Sequence, residues 1–123
     1  DVLRQSGTTT GFSQPTALVE VTLSNGANND IAITGTETLR IVRIVGPTGA
    51  FSVSGFTAPS AGRMIVLHNT TAQAMTLTND AGSTAANRIL TLTGADIVLA
   101  ARTSSATLAY DSTAARWIVA SYN

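Results

Sequence analysis

The sequence contains neither cysteine nor lysine. Without cysteine, a disulfide framework and a thiolate metal site are both excluded. All seven cationic side chains are arginine, and they are balanced by seven aspartate and glutamate residues without forming a basic cluster. Because affinity for phosphate comes mainly from a cationic surface, this charge pattern argues against nucleic acid as a partner.

Long apolar runs are also missing. None approaches the roughly 20 residues of a membrane span, so no membrane partner is expected. Charged residues make up 11% of the chain and hydrophobic residues 44%, whereas an ordinary soluble domain has about 25% charged residues. A monomer of this composition would have an unusually uncharged exterior. We therefore expect part of the surface to be buried between copies of the chain.

The residues that are abundant indicate strands. The 123 residues are enough for one domain with a core, and they include 20 threonines and 19 alanines. Threonine favours strands through its branched Cβ. Apolar segments recur at intervals of about 8 to 12 residues with turn signals between them, which is typical of a sandwich or barrel. The pattern predicts an all-β fold.

An internal repeat organises these strands. Residues 65–78 and 21–34 both show an apolar run, an asparagine, a loop of small residues and an apolar alternation, which predicts two hairpins. An offset of 44 aligns these segments, and an offset of 48 aligns Arg40 with Arg88 and Phe51 with Leu99. Two copies are too few for a solenoid, which needs at least three stacked units.

The expected architecture is therefore an antiparallel, jelly-roll-like β-sandwich or barrel built from two similar halves. A single β-domain would span residues 16–123, with the halves at about 16–56 and 62–123. Residues 39–45, LRIVRIV, are apolar on both faces except for Arg40 and Arg43. That pattern predicts a strand that is covered on both sides.

An extended arm is expected before the domain. Residues 1–15 are rich in glycine, serine and threonine, with Phe12 as the large apolar anchor. Such arms are either disordered or ordered by lying on a neighbour. We expect this arm to bind a neighbouring chain through Phe12.

No residue set predicts chemistry. The only histidine, His68, alternates with Val66 on a strand, which is more typical of a surface or interface residue than of a catalytic base. The carboxylates are scattered, and residues 28–30 and 79–80 suit turns better than calcium. We expect no enzyme, no catalytic residue, no metal and no cofactor.

The strongest local pattern lies at residues 110–117. Two strands joined by Ser-Thr-Ala-Ala would place Asp111 opposite Arg116 and Tyr110 opposite Trp117. This structural hairpin would close the domain, with an Asp111–Arg116 ion pair and with Trp117 in the core, where its indole N–H needs an acceptor. The alternative role for Trp117 is an exposed platform on which a sugar stacks.

Residues 62–117 resemble a β-domain that recurs in bacteriophage virion proteins such as tail fibres, head fibres and decoration proteins. The resemblance rests on the segments 67–69, 75–77, 86–89, 94–96, Leu99, 110–111 and 116–117. It implies a small virion module, commonly a homotrimer, that is exposed on the particle and contacts other virion proteins or host glycans.

Two functions are expected from this resemblance. The first is a structural role in the virion, as a trimeric decoration or fibre module on the capsid or an appendage, bound to the major capsid protein or a fibre shaft. The alternative is a receptor-binding tip of a tail fibre or spike that recognises a host surface glycan.

Overall fold

The protein folds into short strands and one turn of 3₁₀ helix. The computed structural model describes residues 18–34, 38–59 and 62–123, and within these ranges it contains no α-helix. The all-β prediction is confirmed. The strands are β1 Leu18–Thr22, β2 Gly26–Asn28, β3 Leu39–Val45, β4 Phe51–Val53, β5 Met64–Asn69, β6 Met75–Leu77, β7 Ile89–Leu90, β8 Ile97–Leu99, β9 Ser105–Asp111 and β10 Arg116–Tyr122, and the 3₁₀ turn is Ala85–Asn87.

The strands form two sheets. The larger sheet has the order β1-β3-β5-β9-β10-β7, and the smaller one has the order β2-β4-β6-β8. Strands β1, β3 and β5 are parallel, as are β2, β4 and β6. The chain therefore passes from the larger sheet to the smaller and back in three successive coils. This is a β-solenoid, and the predicted antiparallel jelly-roll sandwich or barrel is wrong.

The strands predicted to form hairpins lie in different sheets. In the second predicted hairpin, β5 belongs to the larger sheet and β6 to the smaller one. Between them the buried Asn69 side chain donates to the carbonyls of Gln73, Leu99 and Ala100. These bonds hold the chain in a corner between the two sheets. A corner and a hairpin loop have the same local pattern of an apolar strand, a polar loop and an apolar strand.

The first predicted hairpin is also a corner. Gly26, in the loop of small residues that follows the asparagine, has a φ of 82°, which is typical of a turn, but Gly26 already begins β2. Residues 31–33 do not form the predicted strand, because only Ile31 makes a bridge, to Phe56. Here too the chain crosses between the sheets.

The true repeating unit is one coil. Val42 of β3 pairs with Leu67 of β5 on the next coil, and Phe51 of β4 pairs with Met75 of β6 in the same way. Each of these separations along the chain is about half of the sequence offset of 48. Leu99, which that offset aligns with Phe51, lies on the other side of Met75. The offset of 48 is therefore about twice the length of one coil, and β1 to β6 form the three stacked units of a solenoid.

Antiparallel strands close one end of the stack. β8 pairs with β6 in the smaller sheet, and β9 pairs with β5 in the larger one. β10 then pairs with β9, and the short β7 runs parallel to β10 at the edge. The other end of the stack is formed by β1 and β2.

The core lies between the inner faces of the two sheets. Side chains alternate along each strand, so that β3 buries Val42 and Ile44 completely while Leu39 and Ile41 remain 50% and 41% exposed. Among the described residues, β3 is therefore covered on its inner face, and coverage of its outer face stays a prediction. The largest fully buried side chains are Trp117, Phe56, Ile44, Ile65, Leu67, Met75, Leu77, Ile89, Leu99 and Leu108.

Candidate functional site

The closing hairpin has the register that the sequence predicts. In the antiparallel pair of β9 and β10, Tyr110 lies opposite Trp117 and Asp111 lies opposite Arg116. The rings of Tyr110 and Trp117 meet edge to face, with centroids 5.3 Å apart and planes at 72°. This arrangement suits the quadrupoles of two aromatic rings.

Trp117 is a core residue. It is 1% exposed, its indole N–H donates to the Phe56 carbonyl at 3.0 Å, and its ring meets that of Phe56 edge to face at 5.9 Å. A side chain buried to this extent has no free face on which a sugar could stack.

The predicted ion pair within the hairpin is replaced by two other interactions. Arg116 Nε donates to Asp80 Oδ1 at 2.8 Å, while Asp111 Oδ1 accepts the backbone N–H groups of Thr113 and Ala114 at 2.9 and 3.0 Å. The short aspartate side chain satisfies the turn next to it, because those N–H groups are only two and three residues away. Asp80 follows β6, 36 residues before Arg116, and no local pattern in the sequence connects them.

The asparagine and aspartate residues considered as calcium ligands occupy turns. Asp30 and Asp80 both have a positive φ, at 48° and 44°, which aspartate tolerates better than most residues. Among the described residues, no group of three or more His, Cys, Asp or Glu side chains could hold a metal ion.

A polar cluster around Asp30 joins the coils. The Asp30 N–H donates to Ser83 Oγ at 2.8 Å, and Ser83 Oγ lies 2.6 Å from Ser54 Oγ. Because Ser54 Oγ donates to Asn29 Oδ1, Ser83 supplies the proton of the bond between the two hydroxyls. The chain of donors therefore runs from the Asp30 amide through Ser83 and Ser54 to Asn29, and it ties the loop after β6 to the turn after β2.

The Asp30 carboxylate completes this cluster. It accepts hydrogen bonds from Asn87 Nδ2 and from the Thr84 N–H, each at 2.8 Å. The Asn87 bond first, and then the Thr84 bond, lower the pKa of Asp30 below its usual value of 3.8, because both stabilise the ionised form. The cluster holds the loop in place through bonds that are satisfied within the chain.

The outer face of the larger sheet carries an apolar row that is five strands wide. Leu39 lies opposite Met64, Met64 opposite Ala109, Ala109 opposite Ile118, and Ile118 opposite Leu90. All five side chains point away from the core, and Met64 remains 37% exposed. The row crosses β3, β5, β9, β10 and β7 without a polar residue.

A second row runs beside it and starts at the edge of the sheet. Leu18 of β1 lies opposite Ile41, and Ile41 lies opposite Val66. Leu18 is 47% exposed. The two rows together form what we call the apolar face, and its residues are Leu18, Leu39, Ile41, Met64, Val66, Leu90, Ala109 and Ile118.

A polar row borders the apolar face. Glu20, Arg43, His68 and Ser105 lie opposite one another across β1, β3, β5 and β9. Arg43 Nε is 3.8 Å from Glu20 Oε2, and both side chains are substantially exposed. His68, the histidine considered as a base, is thus part of a surface row.

The sequence contains a signal for the apolar face. In β3, each of the two alternating sets of side chains contains apolar residues. The outer set contains Leu39 and Ile41, and the inner set contains Val42 and Ile44. Such a pattern indicates that both faces are covered, but it does not tell which molecule covers the second face. Among the residues that the structure describes, the inner set is buried, whereas Leu39 and Ile41 of the outer set are exposed.

The outer face of the smaller sheet is more polar. Ala27, Ser52, Thr76 and Val98 lie opposite one another, and Val98 is 59% exposed. Ser52 and Thr76, together with Thr78 and Asp96, also line a shallow groove of about 350 Å³ on this side of the molecule. The groove offers hydroxyl groups and one carboxylate.

The arm at residues 1–15 and its anchor Phe12 lie outside the described residues. No helix in the described ranges is long and apolar enough to cross a membrane.

Comparisons with protein-family models, with curated proteins and with solved structures found no significant match to the chain.

Proposed function

We propose that the chain is a structural protein of a bacteriophage virion, exposed on the capsid or an appendage as a homotrimeric decoration or fibre module. The observation that carries the proposal is the stack of coils, whose corners are held by side-chain hydrogen bonds. The resemblance of residues 62–117 to virion β-domains points to the same role.

The corners make the module rigid. Asn69 Oδ1 accepts from the N–H of Thr71 at 3.1 Å and from its hydroxyl at 2.7 Å, while Nδ2 donates to three carbonyls. At the next corner Asn79 Oδ1 accepts from the N–H of Thr91 at 3.0 Å. Satisfied buried networks of this kind specify one conformation, and a rigid conformation suits a protein that is part of a particle.

Abundance in the particle tests this function. Densitometry of purified particles of the phage that encodes the chain should show it in many copies, in a number divisible by three. Antibodies raised against the recombinant chain should label the capsid or an appendage in electron micrographs. If the chain stays in the supernatant when the particles sediment, the proposal is wrong.

The trimer has a separate test. Low charge and zero net charge at neutral pH remove most of the repulsion between copies. Light scattering at micromolar concentration should give three times the chain mass of 12.6 kDa. A stable monomer would contradict the homotrimer.

The arm is proposed to attach the module to a neighbouring virion protein, such as the major capsid protein or a fibre shaft. Phe12→Ala should reduce the number of copies on the particle and leave the thermal melting of the domain unchanged. Full occupancy by the Phe12→Ala variant would contradict this role.

The alternative function is a receptor-binding tip, and the groove on the smaller sheet favours it. Ser52, Thr76 and Thr78 offer hydroxyls and Asp96 offers a carboxylate, which are groups that bind sugar hydroxyls. A receptor-binding tip should bind host cells, and Thr76→Val should weaken this binding. A decoration module should bind no host cells.

A further inference from the structure

We propose that the apolar face of the larger sheet is the surface through which copies of this chain bind one another. The inference rests on the proposed function, because it names the surface for the association that the function requires. Leu39, Ile41 and Met64 are its centre, and the polar row with Glu20 and Arg43 is its border.

The chemistry of the face fits a subunit interface. Leucine, isoleucine, methionine and valine are the residue types that also fill the core between the two sheets. Obligate interfaces between identical chains resemble a domain core cut in half. An exposed apolar patch bordered by polar residues is typical of a protein–protein interaction site.

The size of the face is adequate. Five of the six strands in the larger sheet have five to seven residues. At about 4.8 Å between strands and about 3.3 Å per residue, these strands cover roughly 24 Å by 20 Å. This projected area of roughly 480 Å² includes the polar row. Because side chains expose more surface than their flat projection, the apolar face together with its polar border approaches the about 800 Å² that one side of a standard interface buries.

Charge complementarity favours a second copy as the occupant. The polar row presents a carboxylate, Glu20, beside a guanidinium, Arg43, within 3.8 Å. A surface that carries both signs side by side is complementary to itself, because in a trimer each copy can offer its Arg43 to Glu20 of the next copy around the threefold axis. A strongly acidic or strongly basic partner would meet a like charge in this row.

The path of the chain identifies one alternative occupant that the experiment must distinguish from a second copy. The described chain enters the face at Leu18, the first residue of β1, and Leu18 itself belongs to the face. The segment 1–17 is therefore joined to the chain at the border of the proposed interface. The labelling experiment below distinguishes binding of this segment to the face from binding of a second copy.

The first experiment places a charge on each outer face. In the full chain, Ile41→Arg and Met64→Arg should each reduce the mass measured by light scattering from the oligomer to 12.6 kDa. Val98→Arg is the matched control, because it adds the same charge at an exposed apolar residue of the smaller sheet, and it should remain an oligomer. Circular dichroism should show the same strand content in all three variants, since each replaced side chain faces outward.

The second experiment reports burial directly. The chain has no cysteine, so Met64→Cys and Val98→Cys each introduce a single thiol. In the oligomer, a soluble maleimide should label the Met64→Cys variant at least tenfold more slowly than the Val98→Cys variant. Adding Ile41→Arg to Met64→Cys should restore fast labelling.

Three outcomes would overturn the inference. One is a wild-type chain that is monomeric and labels rapidly at Met64→Cys, and another is an oligomer that survives both arginine substitutions. The third is a monomer in which Met64→Cys is protected until the segment 1–17 is deleted, because the occupant would then be the arm of the same chain. Absence of the chain from purified particles would instead contradict the virion function without contradicting the proposed interface.

Discussion

At the scale of single residues, Trp117 has the most specific environment in the core. Its ring makes edge-to-face contacts with the rings of Phe56 and Tyr110, its indole N–H donates to the Phe56 carbonyl in the segment after β4, and its backbone N–H donates to the Arg88 carbonyl at 2.8 Å. The residue therefore joins β10 to the segment after β4 through its side chain and to the residue before β7 through its backbone. It connects the closing strands to the coils.

Replacement of Trp117 should be severe. Trp117→Ala removes a fully buried ring and should lower the free energy of unfolding by about 3–5 kcal/mol, out of a typical total of about 5–15 kcal/mol. Trp117→Phe is the matched control: it retains most of the ring and leaves the Phe56 carbonyl without its donor, at a cost of about 1–3 kcal/mol. Chemical denaturation measures both. Equal and small losses would show that Trp117 does not hold the closing strands.

The carboxylate of Asp30 should make stability depend on acidity. Its pKa in the folded chain is lowered below 3.8 by Asn87 and Thr84, so its stabilising contribution is fully present above 3.8 and is lost as the pH falls through the folded pKa. Asp30→Asn should be less stable than the wild type at neutral pH and should lose less stability on acidification below 3.8.

Asparagine is the appropriate replacement at this position, because it tolerates the positive φ of Asp30. Denaturation curves at neutral pH and at acidic pH give the comparison. Parallel pH profiles for Asp30→Asn and the wild type would contradict this role for the carboxylate.

At the scale of elements, corners and close backbone contacts determine how the coils stack. Asn69 closes one corner from inside the core, whereas Asn25 closes another at the surface by accepting the N–H groups of Thr48 and Gly49. Gly55 lets the backbone of the coil after β4 approach residue Asn87, since a Cβ at Gly55 would lie 1.9 Å from the Asn87 carbonyl oxygen. Each of these residues joins segments that are far apart in the chain.

The two asparagine corners should differ in their importance. Asn69→Ala leaves buried carbonyls without a donor and should lower the free energy of unfolding by at least about 1–3 kcal/mol. Asn25→Ala is the matched control at an exposed corner, where water replaces the lost bonds, and it should cost less than about 1 kcal/mol. Urea denaturation of both variants tests this difference, and equal losses would contradict the dominant role of the buried corner.

At the scale of the whole molecule, the order of the strands predicts which parts open first. β5 is hydrogen-bonded to β3 on one side and to β9 on the other. β1 pairs with β3 alone among the described strands and forms an edge of the larger sheet. Edge strands have fewer neighbours to lose when they open.

Hydrogen exchange should follow this order. Amides of β5 should exchange slowest, and amides of β1 should exchange fastest among the long strands of the larger sheet. Mass spectrometry of peptides from the exchanged full chain measures both segments. Protection of β1 as strong as that of β5 would show that another strand covers the open edge.

The sequence predicted where the strands lie better than it predicted which strands and side chains they contact. It placed β3 at its observed bounds, and the register of Tyr110 with Trp117 followed from a short loop between adjacent strands. Local pairing is predictable because the loop length determines it. The predicted Asp111–Arg116 ion pair was wrong, because both side chains have closer or better-placed partners once the loop with Asp80 folds back.

The composition and the alternation of side chains by themselves determined that this chain is all-β, with strands separated by asparagine and glycine turns. Only the tertiary structure decided that the strands stack in parallel coils. The backbone groups that hydrogen-bond between strands are the same in almost every residue. Residues that pair on successive coils, such as Val42 and Leu67, therefore have no local sequence pattern that identifies them as partners. The tertiary structure alone also decided which apolar face lies in the core, because alternation separates two faces of a strand but does not say which one the chain itself covers.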